Sequence, residues 1–578
     1  MCAKVGSWGN SLIAITLYFR LAPVFIANSP TEYNDLGDFS GLMGQEGGPG
    51  KEVVDLEGAS FYPTTTQKPV IFMGVEIMND LKVKNIVILG GGTAGWMTAN
   101  VLHKKWQHLG INITLVESPD IGIIGVGEGS TPVLKVFLDS LDISESEWMP
   151  ECNATYKNGI SFKNWSTVSG YEEYFHPFPC GLDSLTFNYL YNNATLRRKG
   201  VDVIANPNRF SLMASLTEKK LAPIPPKNFP FNFQYGYHFD SILLGKFLRK
   251  KAVEDGINHI QGTVESVEQH SNGDITSLKL SNDQTLSADF FVDCSGFASI
   301  LLEKTLKVPF ISYSDNLFND SAIALPTEID PHIPSETLST ALTNGWVWQI
   351  PLTNRFGNGY VYSSQYCTQD EAEKELREHL GVLDSDIEAR HLKMKVGRAQ
   401  ESWRNNCVAV GLSQGFIEPL EATALQFIYA TIEQFSIAFE EGGFTNQHKD
   451  EFNQRVNMNF EGIRDYIVSH YKTNSRSDSQ YWIDNRENKN ISNNLNAMLG
   501  CWYNIENLEA ELKRLDIANY YTHRSWNCLL SGMGLFPHKE NLTSADAEKA
   551  QSNLEYVDNF IDCCSMNFKP HEEMLMRG

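Results

Sequence analysis

The chain has 578 residues, too many for one ordinary domain, with 42% hydrophobic, 20% charged and 11% aromatic residues. That composition excludes a mostly disordered or collagen-like chain and supplies enough apolar material for a large core. The net charge of −23 argues against general nucleic-acid binding, because phosphate contacts need clustered cations. Ten cysteines without a Cys-x-x-Cys pair are neither a disulfide scaffold nor a zinc site, so no metal is expected and the thiols read as reduced, buried and cytoplasmic. No apolar run reaches membrane-spanning length, since Arg20 and Pro23 interrupt the stretch from Leu12 to Ala27.

Residues 1–77 show no sustained period of 2 or 3.6 and read as a poorly ordered extension. The pattern sharpens with Asn85-Ile-Val-Ile-Leu89, a short apolar strand. It runs into Gly90-Gly-Gly92-Thr93-Ala94-Gly95, then a helix-forming segment, then a second strand that ends in Glu117. Strand, glycine turn, helix, strand and acid together form the dinucleotide-binding fingerprint. Gly90 allows the tight turn, Gly92 lets the backbone approach a pyrophosphate, and Gly95 lets the helix pack close to the strand. Glu117 is placed for a ribose hydroxyl, and the helix start at Thr93 and Ala94 offers amides to the phosphates.

Next comes Gly125-Val-Gly127-Glu128-Gly-Ser-Thr-Pro132, a glycine-rich turn ahead of a helix that carries Lys135. A cation at a helix start gains nothing from the dipole, so Lys135 is a candidate for function against the commoner solvated lysine. Tyr174-Phe-His176-Pro-Phe178 suits a pocket lid. The strict alternation of Phe229, Phe231, Phe233, Tyr235 and Tyr237 predicts one strand with an aromatic core face. A strand ending in Asp293-Cys-Ser-Gly296 is expected to return to the cofactor. Trp346 and Trp348 share one face of a strand that ends in Ile350 and Pro351, where they wall off a cavity or fill a core. Gly411 opens a turn after another strand, and Glu418-Pro-Leu-Glu421 leads into a helix whose amides, near Thr423 and Ala424, can hold an anion. The stretch 446–578 reads as helical, including the amphipathic run Asn507 to Leu515.

The combination of the Gly90-x-Gly92-x-x-Gly95 fingerprint, Gly-Val-Gly-Glu128, Trp346-x-Trp348-x-Ile350-Pro351 and Glu418-Pro-Leu-Glu421 resembles the flavin-dependent tryptophan halogenases, from about residue 82 onward. The fold so implied is α/β: a Rossmann-like FAD-binding domain with additional β-sheet, plus a mostly helical C-terminal substrate region. The expected divisions are 78–445, with a substrate-pocket insertion at about 150–235, and 446–578.

The resemblance implies an enzyme that takes reduced FAD from a separate NAD(P)H-dependent flavin reductase. Oxygen and chloride or bromide then give hypohalous acid, which halogenates an electron-rich aromatic such as tryptophan or another indole. It assigns Lys135 and Glu421 to catalysis, and Gly90, Gly92, Thr93, Ala94, Gly95, Glu117, Gly127, Asp293 and Gly411 to FAD. Thr423 and Ala424 fall to the halide, and Trp346, Trp348, Ile350 and Pro351 to the barrier between flavin and substrate. His176, Phe178, Tyr520 and Tyr521 fall to the substrate. The family's Glu-Ser-Thr-Gly is Glu421-Ala-Thr-Ala424 here, and its Phe-Trp clamp is replaced by Tyr520-Tyr521 ahead of Ser525-Trp-Asn-Cys528. No nucleic-acid or membrane partner is expected, and a homodimer is compatible with the pattern. The rival readings are an FAD aromatic hydroxylase, which needs neither the tryptophan pair nor Lys135 and Glu421, and a flavin carrier without turnover.

Overall fold

The computed structural model describes residues 82–120, 127–544 and 547–576. The extension predicted over 1–77, and Gly125 and Val126 of the second glycine turn, lie outside them.

Three sheets position the site. The first has six strands in the order Trp403–Arg404, Cys407–Ala409, Phe290–Asp293, Asn85–Leu89, Asn112–Glu117 and Asn258–Gln261. All its neighbours run parallel except the antiparallel edge pair Trp403–Arg404 with Cys407–Ala409. The strand Asn85–Leu89 is buried at four of its five positions, as expected of a parallel strand covered on both faces. Helix Thr93–Trp106 covers one face with helices Ser241–Glu254 and Ala424–Glu441. This is the Rossmann-like unit read from the fingerprint.

The second sheet has seven strands, in the order Arg390–Lys393, Ser321–Thr327, Phe356–Tyr362, Gly345–Pro351, Glu336–Leu342, Gly159–Lys163 and Glu173–Pro177. Its one parallel pair is Glu336–Leu342 with Gly159–Lys163. The third is a small sheet of Gly127–Gly129, Gly236–Asp240 and Thr155–Lys157, antiparallel throughout. The C-terminal part is helical, led by the 24-residue helix Lys449–Lys472 and followed by Gln480–Glu487, Asn493–Tyr503, Leu508–Leu515, His523–Gly532 and Ala547–Ser565. Asn507 caps the Leu508–Leu515 helix through the Ala510 amide.

The aromatic alternation behaves differently from its prediction. Only Gly236–Asp240 is a strand there. Pro230 cannot donate to a ladder, and the segment before Gly236 bends instead. Phe229 and Phe233 both pack on Phe568, while Tyr235 and Tyr237 share the Glu145 carboxylate. Nine cysteines are free among the described residues, and eight of them are buried. No described helix is long and apolar enough to cross a membrane.

Candidate active site

The fingerprint turn has the geometry its glycines were read for. Gly90 has φ +118°, and a Cβ there would overlap the Cys294 carbonyl oxygen. Gly92 faces open space, with nothing within 4 Å of where a Cβ would stand. The helix that starts at Thr93 has no side-chain cap, which leaves its first amides for an anion. Glu117 closes the end of the second strand, with His259 Nε2 2.8 Å from Oε1 and Arg249 at 3.5 Å. Gly411, at φ +73°, lies against the same helix start: a Cβ there would come within 2.7 Å of Ala94 Cβ. These residues fit a dinucleotide pyrophosphate and ribose.

Asp293 does not belong to that set. Its Oδ1 accepts from the Ser295 amide at 3.0 Å and the Ser295 hydroxyl at 2.6 Å. Its Oδ2 accepts from the Leu301 and Leu302 amides, both at 2.8 Å. A carboxylate has about four acceptor sites, and all are taken. Asp293 therefore shapes the turn rather than binding flavin directly. Asp293→Ala is expected to lower unfolding free energy by about 3 kcal/mol or more, read by urea denaturation, because it strands several buried amides.

Lys135 also departs from its prediction. It lies on helix Val133–Ser140 with its side chain 38% exposed, 3.1 Å from Asp139 and 3.8 Å from Glu145. An exposed lysine paired at i, i+4 on a helix face is a solvated surface group. The lysine inside the site is Lys157, the last residue of strand Thr155–Lys157 and 0% exposed. Its Nζ makes no hydrogen bond. It lies 5.5 Å from the Phe178 ring centre and 3.0 Å from where a Cβ on Gly129 would stand. Burial lowers the Lys157 ammonium to about 7 against an opposing pull from Glu421.

The neighbouring His238 is held neutral. Thr155 gives its only hydroxyl hydrogen to the Pro351 carbonyl at 2.7 Å, so His238 Nδ1 donates to Thr155 and Nε2 accepts from Thr337, each at 3.0 Å. Burial and the facing Lys157 hold His238 well below the usual imidazole range.

Glu421 ends the short 3₁₀ turn Pro419–Glu421 and is buried. Its Oε2 is 2.9 Å from His176 Nδ1, and its Oε1 is 3.1 Å from His470 Nε2. Burial alone would push this carboxyl up, but the facing imidazoles of His176 and His470 outweigh it and hold it at about 2. Strand Glu173–Pro177 presents His176 to Glu421, and Phe178, just beyond its end, to Lys157. The structure thus brings Lys157, Phe178, His176 and Glu421 together. Just beyond, Ala422 takes a left-handed φ of 54°, while Ala424 begins helix Ala424–Glu441 without a positive φ. The exchange of glycine for alanine at 424 is therefore unstrained. That 18-residue helix has no side-chain cap at Thr423, so its first amides remain available to a halide.

Trp346 and Trp348 lie buried on strand Gly345–Pro351, with ring centres 6.2 Å apart, in a core shared with Ile350 and helix Lys449–Lys472. Trp346 Nε1 donates to Glu418 at 3.2 Å, and the same Glu418 oxygen accepts from Asn319 at 2.8 Å and Tyr471 at 2.7 Å. Glu418 so ties the tryptophan strand to the loop bearing Glu421. Tyr521 stacks on Tyr466 with centres 3.5 Å apart, and a cleft lined by Leu495, Met498, Ile517, Tyr520, Tyr521 and Trp526 opens beside them. Lys157, His470 and Tyr466 were not singled out from sequence.

The sequence profile of the tryptophan halogenase family matches residues 85–548. The 7-chloro-L-tryptophan 6-halogenase KtzR of Kutzneria sp. (strain 744) is 37% identical over 524 residues, covering 85% of this chain and 99% of that protein. The tryptophan 7-halogenase RebH of Lentzea aerocolonigenes is 34% identical, covering 82% and 94%. Among solved structures, BrvH, a flavin-dependent halogenase from Brevundimonas sp. BAL3, superposes with a TM-score of 0.74 at 31% identity, covering 86% of this chain and 99% of that one. The glycine turn fits a flavin nucleotide, Lys157 and Glu421 are both buried, and Glu418 joins Trp346 to the loop that bears Glu421. With these matches, the chain belongs to the tryptophan halogenase family and is a flavin-dependent halogenase.

Proposed function

We propose that this halogenase acts on an indole or another electron-rich aromatic held near His176, Phe178 and Tyr521, with Lys157 and Glu421 as its catalytic pair. The observation that carries the reading is a buried lysine amine without a hydrogen-bond partner, close enough to Glu421 to feel its charge. Reduced FAD, delivered by a separate NAD(P)H-dependent reductase, supplies hypohalous acid from oxygen and chloride or bromide when bound. The amides around Gly92 to Ala94 and the Glu117 carboxylate would hold the flavin nucleotide, and those near Thr423 and Ala424 the halide. Trp346 and Trp348 keep the aromatic substrate from the flavin.

With its proton lost near pH 7, Lys157 serves in either form. The ammonium donates to the hypohalous oxygen. The amine takes the halogen, exchanging an N–H for an N–halogen bond with release of water. A proton taken up on the haloamine nitrogen lets the halogen leave for a ring carbon and restores the neutral amine, and the proton displaced from that carbon goes to Glu421. An arenium ion is acidic enough to protonate even a carboxylate held at about 2. The free thiols suit a reducing cytoplasm.

A reaction containing an indole panel, FAD, a flavin reductase, NADH and either halide, read by mass spectrometry, is expected to give a product with the halogen isotope pattern. A product that gains one oxygen instead would overturn the reading in favour of hydroxylation. Halogenation of phenols or pyrroles, but of no indole, would place the substrate among the other electron-rich aromatics.

A further inference from the structure

Helix Lys449–Lys472 brings a second imidazole to Glu421 from a segment without a recognisable motif. His470 is fully buried, between the rings of Phe162 at 4.9 Å, Trp165 at 6.0 Å and Tyr466 at 5.2 Å. Its Nδ1 lies 3.0 Å from the Tyr466 carbonyl oxygen, one turn back on the helix. A carbonyl only accepts, so Nδ1 carries a hydrogen. Its Nε2 lies 3.1 Å from Glu421 Oε1 as an ion-pair contact, off the line of an aligned hydrogen bond and without another partner. A bare Nε2 carries the negative partial charge of the ring, and a buried carboxylate oxygen at that distance would repel it even off the lone-pair axis. The interface therefore holds a proton as well.

His176 differs. Its Nε2 is 3.0 Å from the Ser525 hydroxyl, which can donate, so a neutral ring with Nδ1–H satisfies both Ser525 and Glu421. Only His470 has two neighbours that both demand a donor.

We infer that His470 is an imidazolium in the resting enzyme, and that it is a positioning residue whose charge keeps Glu421 ionised and fixed for the ring proton. This rests on the catalytic assignment of Glu421 above. The other groups facing the pair fit that charge state. Tyr174, Tyr466 and Tyr521 are pushed well above the usual phenol range by burial with Glu421 beside them, and burial pushes the Cys528 thiol up to about 12, so all four stay neutral. Lys157, lowered to about 7, is the other basic group beside Glu421. The surrounding aromatic rings favour a cation over a neutral imidazole. Removing one member of a buried pair leaves the other uncompensated, so loss of the His470 charge acts on Glu421 rather than on the substrate.

His470→Gln tests this, because the amide can donate to Glu421 but carries no charge. Burial then raises the Glu421 carboxyl unopposed by that cation. The acid limb of kcat is expected to move up by at least about one pH unit, a tenfold relative loss on its steep side, with KM changed less than about threefold. His470→Phe is expected to lower kcat at every pH.

Independently of turnover, ¹⁵N-histidine NMR of the FAD-loaded wild type is expected to show a doubly protonated ring at pH 7.5 that disappears in His470→Gln, or in His470→Asn should the glutamine variant not fold. A neutral His470 ring at pH 7.5, or an acid limb identical in His470→Gln and wild type, would overturn the inference. A wild type that halogenates no aromatic would refute the proposed function, while the NMR spectrum would still decide the charge on His470.

Discussion

Replacing Lys157 with methionine is expected to reduce halogenation by roughly 10³-fold while making the protein more stable. The catalytic loss follows from removing the one buried lysine amine among the described residues, the group proposed above to hold or capture the oxidant, and is of the size seen when an essential donor is deleted. The stability gain follows from linkage. Burial lowers the Lys157 pKa from 10.5 to about 7, so the unfolded chain binds the proton more tightly between these values. The resulting destabilisation is full below pH 7, fades as pH rises toward 10.5, and amounts to about 5 kcal/mol at most. Thermal unfolding of Lys157→Met and wild type should therefore differ most at pH 6–7 and converge near pH 10. Lys135→Met, whose side chain is exposed and paired on the surface, is expected to change the rate less than about twofold and stability by less than about 0.5 kcal/mol. If Lys135→Met were inactive and Lys157→Met active, the site assignment would be wrong.

The second large effect is expected at the fingerprint turn. Gly90→Ala should abolish FAD binding and cost roughly 4 kcal/mol or more. At φ +118° an L-residue is strained by about 1–3 kcal/mol, and its methyl would overlap the Cys294 carbonyl, which is backbone and cannot turn aside. Gly92→Ala separates folding from binding. Its φ is −72° and its methyl meets nothing in the protein, so unfolding should be unchanged. FAD affinity should still fall about tenfold or more, because the methyl enters the space the pyrophosphate backbone contact requires. Flavin fluorescence titration beside urea unfolding checks both variants. Loss of stability in Gly92→Ala, or retained FAD affinity in Gly90→Ala, would contradict the turn geometry.

The α/β core was legible because its signals are local. A strand, three spaced glycines, a helix and an acid occupy one short stretch, where Gly95 lies against Gly90 and Leu115. Glu421, His176 and Phe178 come from compact motifs, and the structure brings His176 onto Glu421 and Phe178 onto Lys157. Lys157 was not. Its environment is made by Gly129, Thr337, His238 and Phe178, which come from four separate segments, and no local pattern distinguishes a buried lysine from a solvated one. Lys135 attracted attention through its place beside a glycine-rich turn, yet Asp139 one turn on and Glu145 beyond the helix already satisfy its charge. Asp293 was misread for a related reason: two of its four donors, Leu301 and Leu302, return to it from the following helical turn. The run from Phe229 to Tyr237 shows the limit of periodicity, where alternation persists through Pro230 although the ladder does not.

Tyr466 and His470 occupy successive turns of one helix and are joined through the Tyr466 carbonyl. The first stacks on Tyr521 beside the aromatic cleft, and the second faces Glu421. Substitutions at 466 that widen the range of accepted substrates will therefore be epistatic with the residue at 470, and selection for scope alone will draw compensating changes there. Tyr520, which packs against Gly462 on the same helix, offers a route to new specificity that touches neither Tyr466 stacking nor the His470 contact.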